Sequence, residues 1–417
     1  MAQLHKKFTD AQIKELLARY IKGEIPRRYI QEMLAIKERR FFALLKRYRQ
    51  SPDSFSIRYQ RQQPPRIAEQ TEKTILRELA IEKRIIEDKE NPVRRYNYSY
   101  IKDLLGNEYE QSVSLSTIIS RAKKHGFYIK RTKQATHDRE VLTNYAGELV
   151  QHDASIHLWA PAAGEKWSLI TSIDDYSRFL LYAELVRRES SWAHIMALQT
   201  VFLKYGMPFS YYVDSHSIFR FVQGRDSIWR DHRKLTDEVD PQWKQVLIDC
   251  GVKLIYALSP QAKGKIERPY QWLQDRLVRT CVRNNITDIR QARPILHHEI
   301  QRYNYRQVHS TTLEVPYFRL QEALREKKSL FRQFHIPPPY QSAKDIFCLR
   351  LERTVDAYCR VSINNKSRSV NYANPGDVLS IRFYPMTGGA TELRFWRADR
   401  LLDTQRIKTS DLEGMQF

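Results

Sequence analysis

The chain has few cysteines and no long apolar run, and each absence excludes a class of protein. Its four cysteines, Cys250, Cys281, Cys348 and Cys359, are scattered and form no Cys-x-x-Cys pair. We therefore expect reduced, buried thiols and exclude a disulfide frame or a cysteine-based zinc site. No apolar run reaches about 18 residues, the length that a membrane helix needs, and no signal-peptide pattern opens the chain. The expected location is the cytoplasm.

Acidic residues are few relative to basic ones. The 417 residues include 70 Lys and Arg against 48 Asp and Glu, which gives a formal net charge of +22 and a pI near 9.7. This excess favours a polyanionic partner, with DNA or RNA ranked first and an anionic membrane second. Residues 1–140 contain 31 basic and 18 acidic side chains, so an excess of 13 lies in the first third. The length suggests about two to four domains.

Residues 1–50 have the pattern of a helix-turn-helix DNA-binding unit. Thr9 is a candidate N-cap with Gln12 three residues later, as in a capping box, and Gly23 ends the first helix. A second helix starts at Pro26, and a basic third helix follows over residues 37–48. The cations expected to contact phosphates or base edges are Lys37, Arg39, Arg40, Lys46 and Arg47. The alternative is an ordinary three-helix bundle with a solvated basic face.

A second, winged helix-turn-helix is predicted over residues 69–135, after a polar linker at 51–68 that contains prolines. Its third helix runs up to Gly126 with Ser114 or Ser116 as the cap, and residues 127–131 are a candidate wing strand. The residues expected to contact DNA are Ser116, Arg121, Lys123 and Lys124. The alternative is a packing domain that only positions the rest of the chain.

From residue 147 the hydrophobic period becomes that of an α/β domain, over about 147–320. Strands and helices alternate in an order that predicts a mixed five-stranded sheet covered by helices. The predicted strands are 148–159, 167–174, 178–186, 210–213 and 253–257, and the predicted helices are near 190–205, 241–250 and 264–283. Residues 215–240 are charged and irregular, which indicates an inserted loop or short helix.

The last part of the chain has a different pattern. Residues 321–344 read as a helical connector with a stiff break at the three consecutive prolines 337–339. Residues 345–417 alternate like short strands, at 348–352, 358–363, 378–384 and 392–396, separated by turns such as Asn364-Asn365. We expect a small β-barrel there.

Three carboxylates, Asp153, Asp214 and Glu267, stand where a metal-dependent nuclease would need them. Asp153 lies in a predicted strand, Asp214 directly follows another, and Glu267 opens a predicted helix. Two strand-borne aspartates and one helix-borne glutamate can converge to hold two Mg²⁺ ions, because hard divalent cations prefer oxygen ligands. The alternative is three surface acids that never meet.

Other residues near these carboxylates have structural alternatives. Asp174 and Asp175 lie between two strands, where a hairpin turn with Asx-type hydrogen bonds is favoured over a metal role. His152 adjoins Asp153, but in a regular strand its side chain points to the opposite face, so a structural role is favoured. The residues around Glu267 are expected to contact DNA, with solvated side chains as the alternative. They are Gln261, Lys263, Lys265 and Arg268.

Four segments together resemble the catalytic core of DDE-type transposases and retroviral integrases. They are His-Asp-Ala-Ser at 152–155, Ile-Asp-Asp-Tyr-Ser-Arg at 173–178, Tyr-Val-Asp at 212–214 and Ser-Pro-Gln-Ala-Lys-Gly-Lys-Ile-Glu-Arg at 259–268. The resemblance implies an RNase H-like fold for about residues 147–320, with Asp153, Asp214 and Glu267 as catalytic metal ligands. It also implies two Mg²⁺ (or Mn²⁺) ions per site and homo-multimers that hold paired DNA ends, and it leaves open a helper ATPase.

Two departures distinguish the chain from viral integrases. Asp214 and Glu267 are 53 positions apart, a longer spacing than in the compact retroviral arrangement, and helix-turn-helix units stand in place of a His/Cys zinc domain. The chain therefore resembles transposases of bacterial insertion sequences. We expect it to bind terminal repeats in the nucleoid, cleave DNA 3′ ends and join them to target DNA.

Two rival functions remain. An RNase H-like nuclease would use the same carboxylates, but it would need little sequence readout from helix-turn-helix units. A catalytically silent, site-specific DNA-binding regulator would need those units, but a retired site tends to lose its ligands, and all three carboxylates are present.

Overall fold

The computed structural model describes residues 4–57, 67–130, 143–213, 242–256 and 264–413, without the side chains of His5 and residues 264–268. The described residues belong to two units, Met1–Glu72 and Lys73–Phe417. None of the described helices combines the length and apolar composition that a membrane span requires.

The cysteines are free thiols, as the sequence predicts. Cys250, Cys281 and Cys348 are buried, and Cys359 is half-buried. Burial raises the pKa of Cys250 and of Cys281 to about 12, so both thiols stay protonated at neutral pH.

The described part of the first unit contains a 3-10 turn at Leu4–Lys6 and the α-helices α1 (Asp10–Ile21), α2 (Arg27–Leu34) and α3 (Glu38–Gln50). The predicted capping box is confirmed, because Gln12 N donates to Thr9 Oγ1 at 3.3 Å and Thr9 N donates to Gln12 Oε1 at 2.9 Å. Ala35, in the left-handed conformation, turns the chain between α2 and α3. One apolar cluster joins the helices, and its fully buried members are Ile13, Leu17, Ile30 and Phe41.

The second unit begins within α4 (Glu69–Glu87) and continues with α5 (Tyr98–Glu108) and α6 (Leu115–Lys124). Ser114 caps α6 by accepting from Thr117 N at 3.2 Å, as predicted. The predicted wing strand is wrong for the described residues 127–130, which have no strand pairing. There Phe127 N donates to Ala122 O, and Phe127 O accepts from the Tyr98 hydroxyl, so the helix end and a side chain use these backbone groups.

A mixed five-stranded sheet forms the centre of the second unit, as predicted. Its strands are β1 (Leu149–His157), β2 (Trp167–Asp174), β3 (Leu180–Val186), β4 (Ser210–Val213) and β5 (Lys253–Tyr256). The spatial order is β3-β2-β1-β4-β5. The first three strands are antiparallel, whereas β4 and β5 run parallel to β1.

Helices cover both faces of this sheet. On one face, Val150 shares an apolar cluster with residues of α7 (Ser191–Lys204) and α8 (Gln242–Asp249). On the other face, Leu169 shares a second cluster with residues of α9 (Gly264–Arg283) and α10 (Ile289–Tyr305). Hydrophobic side chains therefore alternate between two buried layers, which fits strands covered on both sides.

After α11 (Pro316–Arg325), the chain returns to the starts of β1 and β4 and passes very close to Gly147 and Gly206. Met207 N donates to Arg332 O at 2.7 Å, and Arg332 N donates to Met207 O at 2.9 Å. Gly206 has a φ of +100°, and a Cβ atom added there would lie 2.6 Å from Arg332 O. Glycine is required here for both conformation and space.

We expect Gly206→Ala to lower the free energy of unfolding by about 2–4 kcal/mol, because it combines backbone strain with a backbone clash. Gly164→Ala is the matched control: Gly164 has a φ of +69°, but no heavy atom lies within 4 Å of the added Cβ. The control should lose only about 1–2 kcal/mol from the left-handed conformation. Urea unfolding of both variants measures the difference, and equal losses would contradict the close approach at Arg332.

The C-terminal region forms two small antiparallel sheets. Its strands are β6 (Leu349–Thr354), β7 (Arg360–Ile363), β8 (Lys366–Ser369), β9 (Val378–Pro385), β10 (Ala390–Arg397) and β11 (Arg400–Lys408). The larger sheet has the order β11-β10-β9-β6, and β7 and β8 form a separate ribbon. Within the described residues no pairing joins β11 to β6, so the predicted small β-barrel is corrected to an open sheet and a ribbon.

This region packs on the central sheet's helices. Gln242 of α8 and Arg350 of β6 exchange two hydrogen bonds, at 2.7 and 2.8 Å. The Tyr384 hydroxyl lies 3.2 Å from both the amide oxygen and the amide nitrogen of Gln199 on α7. The apolar cluster of α7 and α8 continues into the C-terminal strands, so the two regions share one core.

Candidate active site

Asp153 lies in the middle of the central sheet. Its strand, β1, runs between β2 and β4, and its Cα partner on β2 is Thr171. The side chain is half-buried. A central strand is a rigid support, so this carboxylate has a fixed place in the fold.

Two hydrogen bonds identify the face on which Asp153 stands. Thr171 Oγ1 donates to the Tyr270 hydroxyl of α9 at 2.7 Å, and Gln274 Nε2 of α9 donates to Ser155 Oγ at 3.3 Å. Thr171, as cross-strand partner, and Ser155, two residues along β1, share a face with Asp153. Asp153 therefore stands on the face that α9 covers.

His152 points to the opposite face, as predicted. Its Nδ1 lies 2.8 Å from Ser172 Oγ, and its Nε2 lies 2.8 Å from His194 Nδ1 on α7. The imidazole also stacks on the indole of Trp243, with ring centroids 5.5 Å apart. These contacts agree with the structural interpretation of His152.

The other two predicted carboxylates are described only through the elements beside them. Asp214 lies outside the described residues, but β4 ends at Val213, and its Tyr212 pairs with Gln151 of β1. Glu267 belongs to α9, three residues before Tyr270 and seven before Gln274. Its side chain is not described.

Among the side chains that the structure describes, no group of three His, Cys, Asp or Glu residues could hold a metal ion. That search includes Asp153 but neither of its predicted companions, Asp214 and Glu267. The predicted donor set consists of carboxylate oxygens only, and its one described member lies half-exposed on a rigid strand. Both features fit a hard divalent cation.

Asp174 and Asp175 form a buried turn, in agreement with the turn interpretation. Asp174 Oδ2 accepts from Ser177 N at 2.9 Å and Ser177 Oγ at 2.5 Å, and Asp174 Oδ1 accepts from Gly147 N at 2.8 Å. Asp175 Oδ1 accepts from Arg178 Nη1 at 2.9 Å. These hydrogen bonds order the end of β2.

Asp174 should also make stability depend on pH. Burial raises the pKa of its carboxyl to about 6, against the opposing effect of the Ser177 and Gly147 donors. The folded state then holds the proton more tightly than the unfolded state. Stabilisation by this group is complete below the ordinary pKa of 3.8 and is lost as the pH rises through about 6.

We expect the free energy of unfolding of the wild type, relative to Asp174→Asn, to fall between pH 4 and pH 7 by at most about 3 kcal/mol. The asparagine variant cannot titrate at this position. Urea unfolding at both pH values measures the change, with the exposed Asp399→Asn as control. A difference between wild type and Asp174→Asn that is constant with pH would contradict the raised pKa.

The first predicted DNA-contact set lies around α3. Lys37, Arg39, Lys46 and Arg47 are exposed, and Arg40 is half-buried. Arg47 is also held within the unit, because its Nη2 donates to Ser56 O at 2.7 Å and its guanidinium stands 5.8 Å from the Phe55 ring centroid. The exposed side chains remain candidates for phosphate contact.

The second predicted set lies on α6. Ser116, Lys123 and Lys124 are exposed, and Arg121 is half-buried. Lys123 Nζ stands 4.9 Å from the ring centroid of Tyr128. Near Glu267, Gln261 and Lys263 lie outside the described residues, and Lys265 and Arg268 are in α9 without described side chains.

The sequence interpretation missed a charged cluster on the second half of α9. Arg276 and Arg279 are 3% and 0% exposed, and their carboxylate partners include Glu82 and Asp103. The sequence carries no signal for this cluster, because Arg276 directly precedes Leu277 and Arg279 follows it by two residues, so both lie off the apolar stripe that contains Leu273 and Leu277.

The chain is similar to curated transposases. It is 29% identical over 258 residues to the Sinorhizobium fredii protein "Putative transposase y4bF", covering 61% of this chain and 51% of the relative. It is 30% identical over 223 residues to "Transposase for insertion sequence IS1202" of Streptococcus pneumoniae, covering 53% of this chain and 42% of the relative. The chain thus spans about half the length of these curated relatives. No family model matches it.

Two solved structures are weakly similar to this chain. One is the cryo-EM structure of the simian T-cell lymphotropic virus intasome with PP2A regulatory subunit B56 gamma, at 12% identity and a TM-score of 0.33, covering 68% of this chain and 90% of that one. The other is the HTLV-2 integrase catalytic core domain with magnesium, at 14% identity and a TM-score of 0.31, covering 42% and 95%. The curated relatives confirm the resemblance to transposases of bacterial insertion sequences that the sequence motifs predict.

Proposed function

We propose that the protein is a DDE-type transposase with an RNase H-like core, which cleaves DNA 3′ ends and joins them to target DNA. The observation that supports this most directly is the place of Asp153. Its carboxylate stands half-exposed on a central strand, on the face covered by α9 and beside the parallel strand β4. This is where the two other motif carboxylates would have to meet it.

The elements beside Asp153 carry the other two carboxylates of the proposal. Asp214 follows β4 directly in sequence, and β4 is the hydrogen-bonded neighbour of β1. Glu267 precedes Gln274 by seven residues, or about two helical turns, and Gln274 bonds Ser155 on the face of Asp153. Carboxylates at these three positions would form a single site.

The proposed chemistry is two in-line phosphoryl transfers. In the first, a water oxygen bonds to phosphorus and the P–O3′ bond breaks, which frees a DNA 3′-hydroxyl. In the second, that 3′-oxygen bonds to a target phosphorus, and the target's own 3′-oxygen leaves with its bond electrons. Two Mg²⁺ (or Mn²⁺) ions, when bound, would supply charge stabilisation at the attacking and leaving oxygens.

The protein's part is to hold the metal ions and to orient the DNA. Asp153, Asp214 and Glu267 would be the metal ligands. The bond from Thr171 to Tyr270 holds α9 against β2, and the bond from Gln274 to Ser155 holds it against the strand of Asp153. In such a transfer the protein mainly positions the reacting groups, because the transition state requires little covalent catalysis.

DNA binding in this proposal comes from the basic N-terminal third of the chain. The exposed cations of α3 and α6 would contact the phosphates of element ends, and two or more copies would hold paired ends. The excess of 13 positive charges over residues 1–140 supports this assignment.

The test is strand joining on a duplex that carries the element's end, taken from the flanking genomic DNA. Wild type is compared with Asp214→Asn and with the exposed control Asp399→Asn, in Mg²⁺ and in EDTA. Mg²⁺-dependent joined product from wild type and control, absent in Asp214→Asn, is the expected result. Cleavage without joining would favour the nuclease, and specific binding without cleavage would favour the regulator.

A further inference from the structure

The second half of α9 is attached to α4 and α5 by buried charged groups. Arg279, fully buried, donates to Glu82 of α4, to the Arg95 carbonyl and, at 2.8 Å, to Asp275. Asn97, the N-cap of α5, donates to the other oxygen of Asp275. One guanidinium thus connects α9 to α4 and to the segment that leads into α5.

Arg276 makes a second connection one turn earlier. Its Nε donates to Glu299 of α10 at 2.9 Å, and its Nη2 donates to Asp103 of α5 at 2.9 Å. Arg302 of α10 pairs with the same Asp103. The Arg276 guanidinium also stands 5.2 Å from the ring centroid of Tyr100.

Two outer contacts extend the same interface. The Tyr100 hydroxyl lies 3.0 Å from Thr280 Oγ1, and Arg283 Nη2 donates to Glu78 of α4 at 2.5 Å. Glu78 is fully buried and also accepts from the Tyr109 hydroxyl at 2.8 Å. The contacts cover α9 from Asp275 to Arg283.

These contacts specify one relative position of the helices. Helices that meet through apolar side chains can slide past one another, but a guanidinium group forms hydrogen bonds with its partners only in a fixed geometry. A buried charge that moved would lose its partners. The network therefore holds α4 and α5 on α9. Helix α6 follows α5, and their apolar side chains share one cluster that includes Ile101, Leu105 and Ile118.

Helix α9 also carries Glu267 nine residues before Arg276, which is about 13 Å along the helix. Successive phosphates of one DNA strand lie about 3.4 Å apart along the duplex axis. A shift of that size between α6 and the carboxylates would present the neighbouring phosphodiester for cleavage.

We propose that Arg276 and Arg279 are positioning residues that hold α6 and α9 in one register and thereby select the phosphodiester that is cut. The proposal rests on the function proposed above, with α6 as a DNA-contacting helix. It assigns these arginines no contact with DNA or with the reacting atoms.

The test maps cut positions at single-nucleotide resolution on an end-labelled duplex that carries the element's end. The full-length variants are Arg279→Lys, which keeps the charge but loses the fork, and the milder Asp103→Asn, whose side chain is only partly buried. The control is Arg290→Lys, because Arg290 pairs with Asp288 at 3.2 Å while 85% exposed. End affinity and melting temperature are measured on the same preparations.

We expect both network variants to bind the end as the wild type does, to cut about 10- to 100-fold more slowly and to spread their cuts over neighbouring phosphodiesters. The control should cut at the wild-type position. An unchanged cut position in folded, DNA-binding Asp103→Asn would overturn the positioning role and leave the transposase proposal standing. A wild type that cuts no end would overturn both.

Discussion

Replacing Asp153 with asparagine is expected to abolish end cleavage and strand joining while leaving DNA binding intact. Asparagine keeps the shape of the side chain but removes the negative charge that a divalent cation needs. The loss should be about 1,000-fold or more in rate, which corresponds to about 4 kcal/mol of transition-state stabilisation. The fold should tolerate the change, because the side chain is half-exposed.

The measurement is single-turnover cleavage in Mg²⁺, together with end affinity by gel shift. Ser155→Ala is the matched control: it lies two residues along the same face of β1 and loses only the 3.3 Å bond from Gln274. Less than about a tenfold change is expected for the control. A second readout is the rise in melting temperature with added Mn²⁺, which Asp153→Asn should lack. Wild-type cleavage by Asp153→Asn would remove Asp153 from the site.

The central sheet could be predicted because strands that are buried on both faces leave apolar runs in the sequence, with turn residues between several of them. The alternation of His152 and Asp153 also followed from strand geometry alone, and the contacts of His152 with His194 and Trp243 bear it out. The buried turn could be predicted from the motif at 173–178 because Asp and Ser side chains form hydrogen bonds with nearby backbone groups.

The sequence pattern did not predict two C-terminal strands, β8 and β11, and there is a physical reason in each case. Strand β8 contains only Lys, Ser and Arg, so no apolar period marks it. Strand β11 buries only Leu402 and Ile407, five positions apart, which breaks the period of two. The register shift between Phe395 and Trp396 on the neighbouring strand shows that the pairing there is irregular.

The positioning cluster could not be predicted, because its partners are distant in sequence. Arg279 pairs with Glu82, 197 positions earlier, and Arg276 pairs with Asp103, 173 positions earlier. A single sequence does not distinguish an arginine buried against a distant carboxylate from a solvated one. The three motif carboxylates could be proposed from the sequence because each lies in or beside a recognisable strand or helix start, and they stay a prediction.

Removing the carboxylate of Asp345 should cause the largest loss of stability in the C-terminal region. This fully buried side chain accepts from Arg394 Nε at 2.5 Å and Nη2 at 3.1 Å, and from Trp396 Nε1 at 2.9 Å. It also accepts from the backbone N–H groups of Gln341 and Ser342. In Asp345→Ala these donors would stay buried without their acceptor.

We expect Asp345→Ala to lower the free energy of unfolding by about 3–5 kcal/mol, the usual cost of leaving a buried charge unpaired. The exposed Asp399→Ala, in the turn between β10 and β11, should change it by no more than about 0.5 kcal/mol. Urea unfolding followed by tryptophan fluorescence measures both. Equal losses in the two variants would mean that Arg394 and Trp396 find other partners.

A double variant separates the unpaired charge from the loss of packing. Arg394→Met alone leaves Asp345 without its cation, and Asp345→Ala alone leaves Arg394 with only Glu392, at 3.2 Å. With both changes neither charge is stranded, so the combined loss should be smaller than the sum of the single losses. Additive losses would assign the stability to packing instead. Because the C-terminal strands share their core with α7 and α8, the same unfolding should also reduce the fraction of protein able to cleave DNA.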